Sequence, residues 1–434
     1  MLLSGLPLIY FQMITVFFAR AIRGNLYPEL KGVISAGRPV YTGALFLGFG
    51  FVDSIADFRI IRFISILGIA TTAWALYLFL SRAGWDWKTA LACSFVLGTM
   101  PPFQVYASWV VCFPYAWVTA ITGLSVYLVN SSLNFSSLWK RLGCFLVAMV
   151  IMLIAFNTYQ PAAMFFWIFA AIKLFGNKRL SLNINRYLVY YGIVFFVTAG
   201  FAFIFQRIFM SIYGYPDIFQ RAKLTFDVVA KLKWFIREPL LNALNFLNIN
   251  PSIWLAVVAG FVLAIGLWFY LFGFGKIKFI WFLIMLLLIP LTYLLNLVIT
   301  ENWASYRTQV ALTSLLTLYM FFAVRGLWQV IPLPKWIEVK NILVIGIPII
   351  TELWATYNVT AGFVIPQYTE LTMVQSQILQ NPLADTKIIY LIPAHWQDSM
   401  APVTRYDEFG LPSTFASWAR ENAIYVVYNH FTCQ

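Results

Sequence analysis

Acids and arginines are few in this chain, and their positions bear on its chemistry. Glu29, Arg38, Asp53, Asp57, Asp227, Glu301, Arg307 and Glu352 fall at or near the ends of long apolar runs. Charge at a membrane is costly and usually functional. A carboxylate so placed can take a proton from a hydroxyl. A guanidinium can hold the charge of a departing phosphate, because its fork matches phosphate geometry. Arg38 and Arg307 are the natural cations for that work, with Lys231 and Arg237 as helpers on the lipid side. Uncharged groups join them: Asn157, Tyr159 and Gln160 at one mouth, Gln104 and Tyr106 at another, Asn302 and Tyr306 at a third. Singly, each reads as a helix-end residue meeting water. Together they predict a polar cavity at one end of a bundle. The plain reading of Arg38 is a solvated topology anchor. Gly37 and Pro39 shape the backbone around it and favour a functional one.

The elements that position these residues are helices in lipid. Of 434 residues, 62% are hydrophobic and 10% charged, whereas a soluble domain carries about 25% charged residues. Apolar runs of roughly 14 to 20 residues approach the thickness of a bilayer core. They include 63–80, 142–155, 187–205, 253–272, 280–297 and 311–324. Backbone polar groups in lipid must pair internally, and the period-two alternation of a transmembrane barrel is missing, so these runs are predicted helices. The net charge of +13 resides mostly in loops, where it orients the chain and meets anionic lipid. No soluble basic domain exists to bind nucleic acid. Cys93, Cys112, Cys144 and Cys433, with His395 and His430, show no metal-ligand spacing. No metal or cofactor is expected.

Loop charge divides the loops into two sets. Short basic loops at 81–88, 130–141, 173–186, 275–278 and 325–340 are assigned to the cytoplasm. The mixed, aromatic loops at 20–58, 100–108, 157–161, 207–251 and 300–306 are assigned outside. Alternation then gives about eleven spans, including a retained first span at 2–19, with the N-terminus inside and the C-terminus outside. The fold class expected is an all-α polytopic bundle over residues 1–357, followed by a small extracytoplasmic α/β domain over 358–434. That domain is read from an amphipathic helix at 367–380, strands at 387–392 (KIIYLI) and 423–428 (AIYVVY), and a helix at 413–421. Its RYDEFGLPS turn (405–413), with Asp407 and Glu408, is expected to cap a helix and cover the cavity. Residues 41–52 are apolar but too short to span, and read as re-entrant or interfacial. Residues 226–247 mix apolar and basic side chains. They suit a helix in the interface plane, or equally one packed on the bundle with its charges solvated.

The order of motifs carries a resemblance. Gly37-Arg38-Pro39 (GRPVY) follows the first apolar run and an acid. Then come PPFQVYASW (101–109), FNTYQPAAMFFW (156–167) and YRTQVAL (306–312). This resembles the type II glucosyltransferases that decorate bacterial O-antigen, within the wider GT-C class of membrane glycosyltransferases. The match covers about the first three quarters of the chain, by topology more than by identity. The resemblance implies a multi-pass protein of the bacterial inner membrane. It implies a polyprenyl-phosphate sugar donor, a glycan acceptor, and an acid of the first outer loop as general base. The family carries adjacent acids before Gly-Arg-Pro. This sequence has only Glu29 there, while Asp53 and Asp57 come after it. Either Glu29 serves alone as the base, or Asp53 or Asp57 does, or the chain is a non-catalytic relative or one truncated at its start.

Two other functions compete. A transporter or flippase of lipid-linked sugars predicts inverted repeats and mid-bilayer charge, and neither is seen. An O-antigen polymerase or ligase predicts arginine-rich outer loops, often with a histidine. The 207–251 loop is basic without one. The topology has a direct test: cysteines placed at Ser136 and Asn177 are expected to be protected from an impermeant reagent in sealed cells, and those at Ser211 and Ser399 to react. Reaction at Ser136 reverses the orientation.

Overall fold

The computed structural model describes residues 33–34, 37–52, 57–176, 184–213, 223–272, 278–330, 336–380, 401, 403–406 and 408–411. In chain order the first helices are α1 (Pro39–Phe49), α2 (Phe58–Arg82), α3 (Trp87–Gly98) and α4 (Pro101–Ser108). A 3-10 turn (Val110–Cys112) leads into α5 (Phe113–Asn134), followed by α6 (Leu138–Thr158), α7 (Gln160–Ala163), α8 (Phe166–Phe175) and α9 (Ile184–Tyr213). Next come α10 (Val228–Phe235), a π turn (Ile236–Leu240), α11 (Leu241–Leu244), α12 (Ile253–Tyr270), α13 (Lys278–Leu291) and α14 (Leu294–Leu297). The last are α15 (Val310–Val330), α16 (Trp336–Val359) and α17 (Ile365–Gln380), the final two joined through a π turn (Thr360–Val364).

The chain is a multi-pass membrane protein: among the described residues, 7 helices are long and apolar enough to cross a bilayer. The expected number, about eleven, is corrected by that finding. The apolar run near 91–100 forms only the 12-residue α3, stopped before Pro101 and Pro102. Past the 157–161 loop the chain forms only the short α7 and the 10-residue α8, and the run at 280–297 breaks behind Pro290. Hydropathy counts such runs as spans because it does not register where proline and local backbone geometry divide them. The expected span at 2–19 lies outside the described residues. The α/β part of the expected fold is also corrected. The described residues are helical, with isolated bridges at Leu224–Ile299 and Arg405–Phe409 and no strand among them. The segments 387–392, 413–421 and 423–428 lie outside the described residues. Instead of a separate helix at 367–380, α17 continues the last span through the π turn.

Two helices form the axis of the bundle. Some 78% of the apolar window containing α5 and 72% of that in α15 are buried, against 17–33% for the other five spans. Those five face outward with large apolar side chains, as lipid contact requires. Polar side chains tie the spans together: Thr72 to Thr119 at 2.8 Å, Ser125 to the Ala148 carbonyl at 3.0 Å, and Tyr270 to the Phe175 carbonyl at 2.8 Å. Such bonds act in place of the missing hydrophobic drive between helices in lipid. Small residues bring backbones together. A Cβ at Gly266 would lie 2.5 Å from the Ala323 Cβ, and one at Gly326 would overlap the Gly266 and Tyr270 backbone. Helix α1 has 11 residues, too few to span, and packs on α6 with Tyr41, Leu45 and Phe49 buried.

The α12–α15 crossing yields a prediction. Gly326→Val forces the two backbones apart and is expected to cost about 1–3 kcal/mol. Thermal unfolding in detergent reads it. A melting temperature equal to that of the parent chain contradicts the close crossing.

Candidate functional site

Arg38 is placed by its neighbours. Gly37 has φ +79°, and a Cβ there would also overlap the Gln206 side chain. Only glycine meets both demands. Pro39 then opens α1, and the Arg38 carbonyl accepts the Thr42 N–H and hydroxyl, each at 3.0 Å. Across the bundle, α6 ends at Thr158. Tyr159 adopts an extended conformation (φ −155°, ψ 107°) before Gln160 and Pro161 start α7. That one-residue break directs two side chains to Arg38. Arg38 Nε donates to Gln160 Oε1 at 3.3 Å, and Gln160 Nε2 donates to the Gly37 carbonyl at 3.3 Å. The guanidinium lies 4.9 Å from the Tyr159 ring centre, in cation–π range.

Tyr159 belongs to an aromatic cluster. It stacks on Tyr115 with centres 3.7 Å apart and planes 8° from parallel. Tyr115 is 5.0 Å from Tyr41 and 5.7 Å from Tyr106. Tyr41 donates to the Val111 carbonyl at 3.1 Å, and Tyr106 to the Arg307 carbonyl at 3.0 Å. Arg307, just before α15, lies 4.7 Å over the Trp109 ring. The Arg38 guanidinium thus borders the tyrosine stack directly, and Arg307 is joined to it through Tyr106. The arrangement can hold an anion on the arginines and lay a flat or ring-shaped apolar face on the tyrosines. Each of three flanking amides spends its NH2 on a nearby carbonyl: Gln104 on Thr99, Asn157 on Leu153 and Gln309 on Ala304. Their buried oxygens have no hydrogen-bond partner among the described residues.

The turn at 403–411 closes this end of the bundle. Glu408, buried, accepts the backbone N–H of Tyr306 at 2.7 Å and of Arg307 at 2.9 Å, and lies 3.9 Å from the Arg307 guanidinium. Arg405 donates to Asn242 at 2.8 Å, and Tyr406 to Glu238 at 3.1 Å. Burial first, then the charge of Glu238, pushes the Tyr406 phenol up, so it stays protonated. Phe409 stacks on Phe363 at 4.4 Å, and the Gly410 N–H donates to the Gly362 carbonyl at 2.6 Å.

Of the residues singled out in the sequence, Arg38, Tyr159, Gln160 and Arg307 converge here. Lys231 does not join them. It is buried, and its ammonium donates to the Glu301 carbonyl at 2.8 Å and to Asn302 at 2.6 Å. Burial lowers its pKa, and Glu301 partly restores it. Arg237 is exposed in the π turn. Asp57 is half-buried at the start of α2, while Glu29 and Asp53 lie outside the described residues. Sequence reasoning missed Tyr115 and the buried Arg62. The signal for Arg62 is its place on the stripe Phe58, Arg62, Ser65, Gly68 and Thr72 at helical spacing, which is the buried face of α2. No comparable signal marks Tyr115, whereas Tyr41 stands in the GRPVY motif. Among the described residues no three His, Cys, Asp or Glu side chains gather as a metal site.

Comparison with protein families, with curated proteins and with solved structures finds no match to this chain.

Glu408→Ala removes the acceptor of two buried N–H groups and is expected to cost about 1–3 kcal/mol. Glu408→Gln keeps an acceptor oxygen and should cost less. Hydrogen exchange at Tyr306 and Arg307 reads both, and unchanged protection in Glu408→Ala would rule out the capping role.

Proposed function

We propose that the chain is a membrane glycosyltransferase that moves a sugar, glucose by resemblance, from a polyprenyl-phosphate carrier to a cell-surface glycan such as O-antigen. The observation that carries this reading is the Tyr115–Tyr159 stack with the Arg38 guanidinium on the Tyr159 ring, joined through Tyr106 to Arg307, which lies over Trp109. Arginines suit a phosphate and tyrosine faces suit a sugar ring or an isoprenoid chain. The amide oxygens of Gln104, Asn157 and Gln309 are acceptors suited to sugar hydroxyls. The proposed setting is the bacterial inner membrane, with the N-terminus cytoplasmic and the site facing outward.

In the proposed reaction an acid takes the proton of the acceptor hydroxyl as its oxygen bonds to the anomeric carbon. The bond from that carbon to the phosphate oxygen breaks, and the lipid phosphate keeps the electron pair. Arg38 and Arg307 stabilise that charge. Glu29, Asp53 and Asp57 are the candidate bases.

The test uses the full chain in nanodiscs with a polyprenyl-phosphate-glucose donor. Arg38→Ala is expected to weaken donor binding by about 10–100-fold, from the loss of a charged hydrogen-bonding partner. The variant that removes the base, among Glu29→Gln, Asp53→Asn and Asp57→Asn, is expected to lose about 10²–10⁴ in turnover with donor binding little changed. Full turnover in all three overturns the mechanism. Donor movement across the bilayer without transfer favours a flippase instead.

A further inference from the structure

Between the spans α9 and α12, residues 226–237 present an apolar face to the outside of the protein. Phe226 is 91% exposed, Val228 and Val229 64% each, and Ile236 59%. Val228, Val229, Leu232 and Ile236 recur at helical spacing, so they form one stripe. Lys233 and Arg237, both exposed, each follow a stripe residue and border the stripe along one side. The segment's acids are turned to other work. Asp227 caps α10 through the Ala230 N–H at 2.9 Å, and Glu238 accepts from Trp234 and Tyr406. The exposed face is therefore apolar with a basic edge.

The opposite face is fixed to the bundle. Lys231 is bonded to Glu301 and Asn302, and Phe235 packs 5.9 Å from the Tyr293 ring. The stripe therefore cannot turn inward. Its height follows from the chain that continues it, through the π turn and α11 to the start of α12, where Trp254 is 80% exposed. An exposed tryptophan at the end of a span is the usual mark of the head-group layer.

We propose that Phe226–Arg237 is an in-plane membrane helix at the site end of the bundle, with its apolar stripe in the acyl region and with Lys233 and Arg237 on anionic phospholipid head groups. An amphipathic helix of this polarity lies at the lipid–water boundary. Basic residues near an anionic surface add a favourable charge interaction. Water cannot be the partner of so apolar a stripe without cost, and the two cations keep it out of the deep core. The proposal is independent of the glycosyltransferase reading.

The test uses the full chain with its four cysteines replaced, and a fluorophore on Cys at position 229 (Val229→Cys). The bilayers are phosphatidylcholine alone and an equal mixture with phosphatidylglycerol. Quenching by nitroxides on the acyl chain, and not by aqueous iodide, is expected in both. In the mixture, labelled phosphatidylglycerol is expected to quench in preference to labelled phosphatidylcholine. Each of Lys233→Gln and Arg237→Gln is expected to lower that preference by about fivefold at most, the equivalent of one surface charge. Iodide quenching in bilayers overturns the in-plane placement. A head-group preference that is absent, or unchanged in the double variant, overturns the lipid recognition. An intact elution profile and helical signal for each variant keep misfolding from standing in for either result.

Discussion

A backbone in lipid can leave the helix only where its polar groups find other partners, and the candidate site is built on one such departure. At Tyr159 a single extended residue separates α6 from α7, yet its N–H still reaches the Ala155 carbonyl and its own carbonyl accepts the Ala163 N–H, both at 3.0 Å. Pro161 has no N–H to leave unpaired. The break therefore costs little in hydrogen bonds while turning Tyr159 onto Tyr115 and Gln160 onto Arg38. Without it, α6 would continue straight past α1, and Arg38 would lose both its ring and its amide. The breaks after Gly98 and behind Pro290 have the same character, shortening helices that would otherwise cross.

Much of the bundle could be read from the chain, because apolar length and backbone satisfaction leave helices as the answer. The number of crossings could not. A run of apolar letters records where lipid is tolerated, whereas a crossing also needs a helix that does not stop. The region around Pro290 shows the difference, since it lies within the run 280–297 that hydropathy scores as continuous. At the site, the Gly37-Arg38-Pro39 and Tyr159-Gln160 motifs stood out through their composition, but their distance from each other in the chain concealed that they meet. Tyr115 gives no local sign, because its role comes from packing between helices distant in sequence. Lys231 shows the opposite case. Its position on a basic, amphipathic segment suggested lipid phosphate, and only the fold shows that its ammonium is taken by the Glu301 carbonyl and Asn302. A charged letter does not say which side of its helix the protein occupies.

The arginines also illustrate how a cation is kept in an apolar bundle. Arg38 and Arg307 each lie over an aromatic ring and near amide or carboxylate oxygens, so part of the lost hydration is replaced. At Arg307 the buried Glu408 carboxylate, 3.9 Å away, also balances part of the charge.

The bonds of Glu408 to the Tyr306 and Arg307 amides join residues 102 and 101 positions apart in the chain. A membrane protein enters the bilayer from its N-terminus onward as it is synthesised. Arg307 and the start of α15 are therefore inserted long before Glu408 emerges from the ribosome. Until residues 403–411 arrive on the same side of the membrane, those two amides must be served by water or by lipid head groups. Final closure of this end of the bundle is thus a late event in biogenesis, and a chain truncated before Glu408 would enter the membrane with its spans inserted and that end still unsealed.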